Sequence, residues 1–375
     1  MALADRPLLG WNSWNCFLTA EERADFTGLT AEAILGCAQA LVDSGMRDAG
    51  YEYVVLDDGW QADHRDSTGR LLAHPTRFPD GIAPLAEQIH ALGLRFGLYA
   101  VPGSLTCAQQ YDDYGGAPLG SLNHEELDAQ TFAEWGVDFL KYDWCRADHN
   151  DGLTAIDAFT RMRRELDRID RPVAYAISEY GRFEPWLWAP RIAHMWRTTD
   201  DLLPTWASLM RTLDLQADLA AYSRPGAWND PDMLQVGNGA LTDGENRAHF
   251  YLWAVLNAPL IAGNDLRTMT AGVRDLLCDP EVIAVNQDWG GRQGTRIGPA
   301  GAGEVWAKPM SDGGAAVVLL NRSDAPLEIT ATAEDLNLKT APRTVREAAT
   351  TETSSFEGRL RRLVAPHDAT LLRLS

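Results

Sequence analysis

The sequence contains no uninterrupted apolar run of about 18 residues, so no part of it reads as a membrane-spanning helix. It has no excess of basic residues. Its 33 Lys and Arg stand against 53 Asp and Glu, a formal charge of −20 over 375 residues. Phosphate backbones and anionic membranes are met by basic surfaces, so neither nucleic acid nor a membrane is an expected partner. Cysteine is scarce and odd in number: Cys16, Cys37, Cys107, Cys145 and Cys278 do not make a disulfide scaffold. The eight histidines fall into no HExxH or other metal-ligand spacing, and there is no Walker A or GxSxG motif. A metal hydrolase, a P-loop NTPase and an α/β-hydrolase are therefore not the leading readings. The opening MALADRPLLGWNSWN has no basic stretch followed by a long apolar core. A cytoplasmic location is the expectation, with a trimmed secreted protein as the alternative.

What is present is an ordinary globular composition, 45% hydrophobic and 23% charged, enough to bury a sizeable core. The length suits two or three domains, or one large barrel with a small companion. Up to about residue 288 strand-like and helix-like segments alternate. The strand candidates are 7–14, 51–60, 95–101, 137–145, 173–180, 192–200, 226–234 and 258–266. Between them the spacing predicts helices over 30–44, 84–92, 128–135, 153–169, 208–221, 245–257 and 271–278. Several strand candidates are near-continuous apolar runs, as parallel strands covered on both faces are. Eight such units in this length predict an α/β fold, a (β/α)8 TIM barrel over residues 1–290. A doubly wound open sheet normally needs a Gly-rich turn after its first strand; here that strand ends in Trp and Asn. From 291 to 375 short β-rich runs alternate with Gly, Pro, Asn and Asp turns, which predicts a small C-terminal antiparallel β-sandwich.

In a TIM barrel the chemistry sits at the C-terminal ends of the strands. Here those ends carry Trp14; Asp57 and Asp58; Tyr99; Lys141, Asp143 and Cys145; Glu179 and Tyr180; Arg197, Asp200 and Asp201; Asp232 and Met233; Asn264 and Asp265. Carboxylates interleaved with aromatics, and no metal signature, suggest a sugar. Its hydroxyls take hydrogen bonds from and to charged groups, and its apolar face stacks on tryptophan. Lys141, Asp143 and Cys145 are spaced i, i+2, i+4, so on a strand they share one face. Lys141 would then hold Asp143 ionised, as a glycosidase nucleophile requires; a structural ion pair is the bland alternative. A second carboxylate with a raised pKa would serve as general acid. Asp200 and Asp201 both offer it, and spacing does not choose between them.

The segments GWNSWN (10–15), YEYVVLDDGW (51–60), LGSLNHEELDAQTFAEWGVDFLKYDWC (119–145), MWRTTDDLLPTW (195–206), GAWNDPDML (226–234) and LWAVLNAPLIAGNDLR (252–267) resemble, in this order, the α-galactosidases of glycoside hydrolase family 27. The resemblance covers almost the whole chain. It implies a (β/α)8 barrel followed by an antiparallel β domain, and retaining hydrolysis of terminal α-galactosides without metal or cofactor. It places the nucleophile on Asp143 and the acid/base on Asp201. It places sugar-binding residues on Trp14, Asp57, Asp58, Tyr99, Cys107, Lys141, Glu179, Arg197, Asp232 and Met233. Asp57 and Asp58 would hold the 4-OH and 6-OH, with Arg197 and Glu179 near the 2-OH. The expected partner is a small galactoside; an oligomer is possible and is not decided by sequence.

The chain also departs from the family pattern. Gly59 stands where many members have a bridging Cys, so that bridge cannot form and Cys16 is left without an evident partner. The other family bridge maps to Cys107–Cys145, which could form or remain as two thiols. Tyr180 replaces a Trp of the subsite wall. Asp200 replaces a Gly and adds negative charge beside Asp201. Val101 stands where an Asp is common. Retention of Glu179 argues against the N-acetylgalactosaminidase branch. The remaining alternatives are a β-L-arabinopyranosidase or other family specificity, a transglycosylase, and an inactive sugar-binding protein.

Overall fold

The computed structural model describes residues 3–17, 26–338, 344–348, 350 and 353–375. The chain divides into two compact units. One is chiefly Leu8–Asp200 with Ile261–Thr268, the other chiefly Asp201–Leu260 with Met269–Ser375.

In order along the chain, eight short strands belong to one sheet: β1 (Leu9–Asn12), β2 (Tyr53–Leu56), β3 (Arg95–Ala100), β4 (Phe139–Asp143), β5 (Ala174–Ser178), β6 (Met195–Arg197), β7 (Trp228–Asp230) and β8 (Leu260–Ala262). Within the first unit the order is β6-β5-β4-β3-β2-β1-β8, and the pairings from β1 to β6 are parallel. Chain order kept as sheet order, with the last strand returned beside the first, is the topology of the (β/α)8 class. The strands are buried almost throughout, which is why they read as apolar runs. At Gly10 a β-carbon would meet the Tyr53 carbonyl oxygen at 2.5 Å, so β1 and β2 close only over glycine.

Register sets up the site. Tyr99 on β3 faces Lys141 on β4, and Asp143 at the end of β4 faces Ser178 at the end of β5. The helix after β1, Ala31–Asp43, starts where expected: Thr30 caps it, its side chain accepting from Ala33 N–H. Its buried residues Ile34, Cys37, Ala38 and Leu41 repeat at helical spacing. Short helices at Cys107–Tyr111, Ala147–Asp151 and Pro185–Trp188 follow β3, β4 and β5, where the sequence suggests only loop.

In the second unit the C-terminal residues form β9 (Thr295–Ile297), β10 (Gly303–Pro309), β11 (Ala315–Asn321), β12 (Leu327–Thr332), β13 (Thr344–Glu347), β14 (Thr353–Ser355), β15 (Arg359–Val364) and β16 (Asp368–Leu374). Six make a sheet in the order β14-β13-β16-β11-β10-β9, and β12 pairs with β15. All these pairings are antiparallel. Val317, Leu319, Ile329, Leu360 and Leu372 are among the apolar residues packed between them. The helix Asp243–Val255 lies on β16 and β11 and is tied by Arg247, which donates from Nε to Asp368 at 3.0 Å. Among the described residues no helix is long and apolar enough to cross a membrane.

Candidate active site

Asp57, just past β2, is 1% exposed and fully engaged. Its Oδ2 accepts from Asn12 Nδ2 at 2.6 Å and from Lys141 Nζ at 2.7 Å. Its Oδ1 accepts from Asp58 N–H, and its own N–H donates to Ser13 Oγ. The ion pair of Lys141 thus closes on Asp57, past the end of β2 and across the intervening β3, where spacing along β4 pointed to Asp143. Burial opposes the charge on Lys141, but Asp57 and Asp143 outweigh it and hold the ammonium above its ordinary range. Lys141 also lies 5.6 Å over the Tyr99 ring.

Asp58 accepts from Gly59 N–H and Ala108 N–H, each at 2.7 Å. Burial still pushes its carboxyl up to about 7 against those hydrogen bonds. Asp143 closes β4 at 5% exposure. Its Oδ1 accepts from Trp144 N–H at 2.9 Å, and its Oδ2 lies 3.5 Å from Cys107 Sγ. Cys107 and Cys145 are joined by a disulfide with a Cα–Cα distance of 4.9 Å. The bridge settles the cysteine alternative and clamps the start of the Cys107–Tyr111 helix to the residue two past Asp143. The buried Tyr99 hydroxyl accepts from Cys107 N–H at 3.3 Å and lies 3.1 Å from Cys145 Sγ. Burial keeps that phenol neutral, well above its ordinary pKa.

Glu179 follows β5 and is fully buried. Its Oε2 accepts from Phe183 N–H at 2.8 Å, while its Oε1 has no protein partner among the described residues. Burial raises this carboxyl to about 7. Tyr180, at φ +66, has its hydroxyl 3.5 Å from Cys107 Sγ. The guanidiniums of Arg182 and Arg197 lie over its ring, 4.9 and 5.5 Å from the centroid. Gly181 follows at φ +75, and a β-carbon there would meet the Thr198 carbonyl oxygen at 2.2 Å, so the turn can close only over glycine. Arg197 ends β6 and donates from Nη2 to the Thr199 carbonyl at 3.0 Å. Asp200 lies 3.5 Å from Arg182 with both side chains largely exposed; its added charge has a cationic neighbour. Trp14 is half-buried, its N–H donating to Asn12 Oδ1 at 2.8 Å. Val101 is buried in an apolar cluster with Tyr99, Cys107 and Cys145.

In the second unit Asp201 is exposed, and the residue after it is anchored at both backbone atoms. Leu202 N–H donates to Asp232 Oδ2 at 2.7 Å, and Leu202 C=O accepts from Gln235 Nε2 at 2.6 Å. Asp232 sits at φ +91, 3% exposed, with its Oδ1 accepting from Met233 N–H and its carbonyl accepting from Trp253 Nε1. Met233 is 8% exposed.

The first unit therefore gathers Asp57, Asp58, Tyr99, Cys107, Lys141, Asp143, Tyr180 and Arg197 in one continuous set of contacts, with Trp14 joined through Asn12. Sequence reasoning did not single out Asn12 and Ser13 as supports of Asp57. The available signal was two polar residues ending an otherwise apolar strand. Paired carboxylates, a lysine and an arginine set among aromatic faces at the ends of parallel strands make a carbohydrate-processing site.

Known proteins bear this out at the level of family. Residues 6–288 match the family model described as alpha galactosidase A, and residues 300–374 match the alpha galactosidase C-terminal beta sandwich domain. An α-galactosidase of Oryza sativa subsp. japonica is 39% identical over 374 residues, 100% of this chain and 85% of that protein. The crystal structure of α-galactosidase I from Mortierella vinacea superposes with a TM-score of 0.91 at 33% identity, covering 99% of this chain and 97% of that one. The structure of an α-galactosidase from Saccharomyces cerevisiae with raffinose superposes at 0.86 and 26% identity, covering 100% and 98%. The chain belongs to the α-galactosidases of glycoside hydrolase family 27.

Proposed function

We propose that the chain is an exo-acting α-galactosidase that works by double displacement, with Asp143 as nucleophile and Asp201 as acid/base. The observation that carries the reading is the setting of Asp143. It is nearly buried at the end of β4, oriented by Trp144 N–H, and shares the cation Lys141 with Asp57. A carboxylate so held has a cation beside it and keeps one oxygen next to the disulfide, the setting a glycosidase nucleophile needs.

In this reading Asp143 attacks the anomeric carbon through an oxocarbenium-like transition state while Asp201 protonates the departing oxygen. Asp201 then takes a proton from water, which releases galactose with its α configuration retained. Asp57 and Asp58 receive the 4-OH and 6-OH, Glu179 and Arg197 lie near the 2-OH, and Trp14, Tyr99, Tyr180 and Met233 line the sugar. The free Oε1 of Glu179 is a buried acceptor that a sugar hydroxyl would satisfy. Asp232, by holding Leu202, fixes the backbone beside Asp201. The substrate class is a small galactoside, of which the raffinose carried by the yeast relative is an example.

Asp143→Asn should lower turnover of p-nitrophenyl α-D-galactopyranoside by at least about a thousandfold, while galactose binding, read by calorimetry, survives. Retained turnover would remove Asp143 from the mechanism. Faster turnover of the β-L-arabinopyranoside by the unsubstituted protein would move the specificity and leave the mechanism standing.

A further inference from the structure

Cys16 lies in the turn after β1, Cys37 within the helix Ala31–Asp43, and Asp265 in the turn after β8. All belong to the first unit. Their two sulfurs and a carboxylate oxygen lie within 4.8 Å of one another, and Cys37 Sγ is 3.9 Å from Asp265 Oδ1. Both cysteines are free thiols, Cys16 partly exposed and Cys37 buried. The partner that Cys16 lacked in the sequence is therefore Cys37, one helix away.

We propose that Cys16, Cys37 and Asp265 form a binding site for one soft divalent cation of the zinc class, completed by water. Tetrahedral zinc takes thiolate at about 2.3 Å and carboxylate oxygen at about 2.1 Å, which sets ligand atoms roughly 3.5–3.8 Å apart. The three donors need only a small closing movement to reach that spacing. Two sulfur donors select zinc and its relatives over magnesium or calcium. The charges also balance: two thiolates and one carboxylate carry −3, the cation +2 and Arg267 +1.

Arg267 donates to Asp265 from Nε at 2.8 Å and Nη2 at 2.7 Å, and its backbone N–H donates at 3.0 Å. Its guanidinium lies 5.2 Å over the Phe17 ring. Asp265 is thus ionised and oriented by a fixed partner, as carboxylate ligands of metals commonly are. Each thiol gives its proton to solvent on binding, two per cation. Among the described residues, the charged and titratable groups acting on Cys16 are Cys37, Asp265 and Arg267. Because protons compete with the cation for the two sulfurs, binding weakens as pH falls. The other cluster of this kind, Cys107 with Asp143 and Cys145, offers no thiolate because its sulfurs are bonded to each other. A loaded site would tie the turn that carries Trp14 to a helix and to the turn after β8, so it would stiffen one wall of the sugar site.

The test is titration of the reduced, desalted full chain with Co2+ and then Zn2+. The expected result is one cation per chain, a sulfur-to-cobalt charge-transfer band, release of two protons per cation and a raised Tm. Cys16→Ser and Cys37→Ser should each abolish the band, Asp265→Asn should weaken binding about 10- to 100-fold, and Cys278→Ser should leave it intact. Because Cys37→Ser alters a buried position, alkylation of the unsubstituted protein gives a second reading: Zn2+ should protect Cys16 and Cys37 together. A cobalt spectrum without sulfur ligation, protection of neither thiol, or a Cys16–Cys37 disulfide that resists reduction would overturn the proposal. So would a band that survives Cys16→Ser, since the metal would then be held by an opened Cys107–Cys145 pair.

Discussion

Gly59 shows how one residue rearranges its surroundings. It sits at φ +87, a conformation that side chains rarely adopt, and a β-carbon there would lie 2.4 Å from the Phe26 ring. Phe26 packs edge-on against Tyr114 at 5.1 Å, and Arg77 lies over both rings while donating to the Tyr114 hydroxyl. An aromatic and cationic stack thus fills the space beside Asp58 where the family resemblance led to the expectation of a cysteine. Gly59→Cys should destabilise the protein by about 2–4 kcal/mol, from backbone strain and overpacking together, read as a lower urea midpoint. An unchanged midpoint would show that Phe26 can move aside. Glu179 makes a second residue-scale case. Burial raises its folded-state carboxyl to about 7 from 4.5, so the folded state binds more protons than the unfolded state between those values. The stabilisation is fully present below about pH 4.5 and is lost as pH rises through 7. Asp58, raised to about 7 from 3.8, acts in the same direction. Glu179→Gln should therefore gain stability relative to the unsubstituted protein at pH 8, by roughly 3 kcal/mol if the whole shift is realised, and show no gain at pH 4. Denaturant midpoints at both values check this; a gain equal at both would assign it to packing instead.

At the scale of elements, the segment from β3 to the helix Glu125–Glu134 is held by a buried ion pair. Arg65 donates from Nη1 and Nη2 to the two carboxylate oxygens of Asp128 at 2.6 and 2.8 Å, and from Nη2 to the Gly120 carbonyl. Asp128→Asn leaves the guanidinium buried and unpaired, at an expected cost of about 3–5 kcal/mol. Thermal unfolding checks it, and a loss under about 1 kcal/mol would mean that water reaches Arg65. Much of this scale was legible. Buried parallel strands appear as apolar runs, and Thr30, Thr242 and Thr270 mark helix starts by their caps. Strand ends were less legible. The run 226–234 looks extended, but Asp232 at φ +91 ends the regular structure, and β7 is only Trp228–Asp230. The helix Cys107–Tyr111 was also missed, although Thr106 and Gln109 form a capping box that a scan for that pattern would find. The helix Ala147–Asp151 gives no such signal, since it starts from Arg146 in the left-handed region without a side-chain cap. In the site, strand ends carry the carboxylates expected of them. Partners across strands are invisible to spacing: Lys141 reaches Asp57, 84 residues earlier, and Cys16 meets Cys37 only because the helix brings it back.

At the scale of the whole molecule, the first unit carries most of the proposed sugar contacts at the ends of its parallel strands, while Asp201, Asp232, Met233 and the antiparallel sheets belong to the second unit. Double displacement leaves no room for a water between the nucleophile and the anomeric carbon, so the configuration of the first product distinguishes it from direct attack by water. The most direct test is proton NMR of the galactose first released from p-nitrophenyl α-D-galactopyranoside, recorded before mutarotation equilibrates the anomers. Double displacement through Asp143 gives α-galactose first, with the β anomer growing in later. β-Galactose appearing first would mean direct attack by water, and Asp143 could not be the nucleophile.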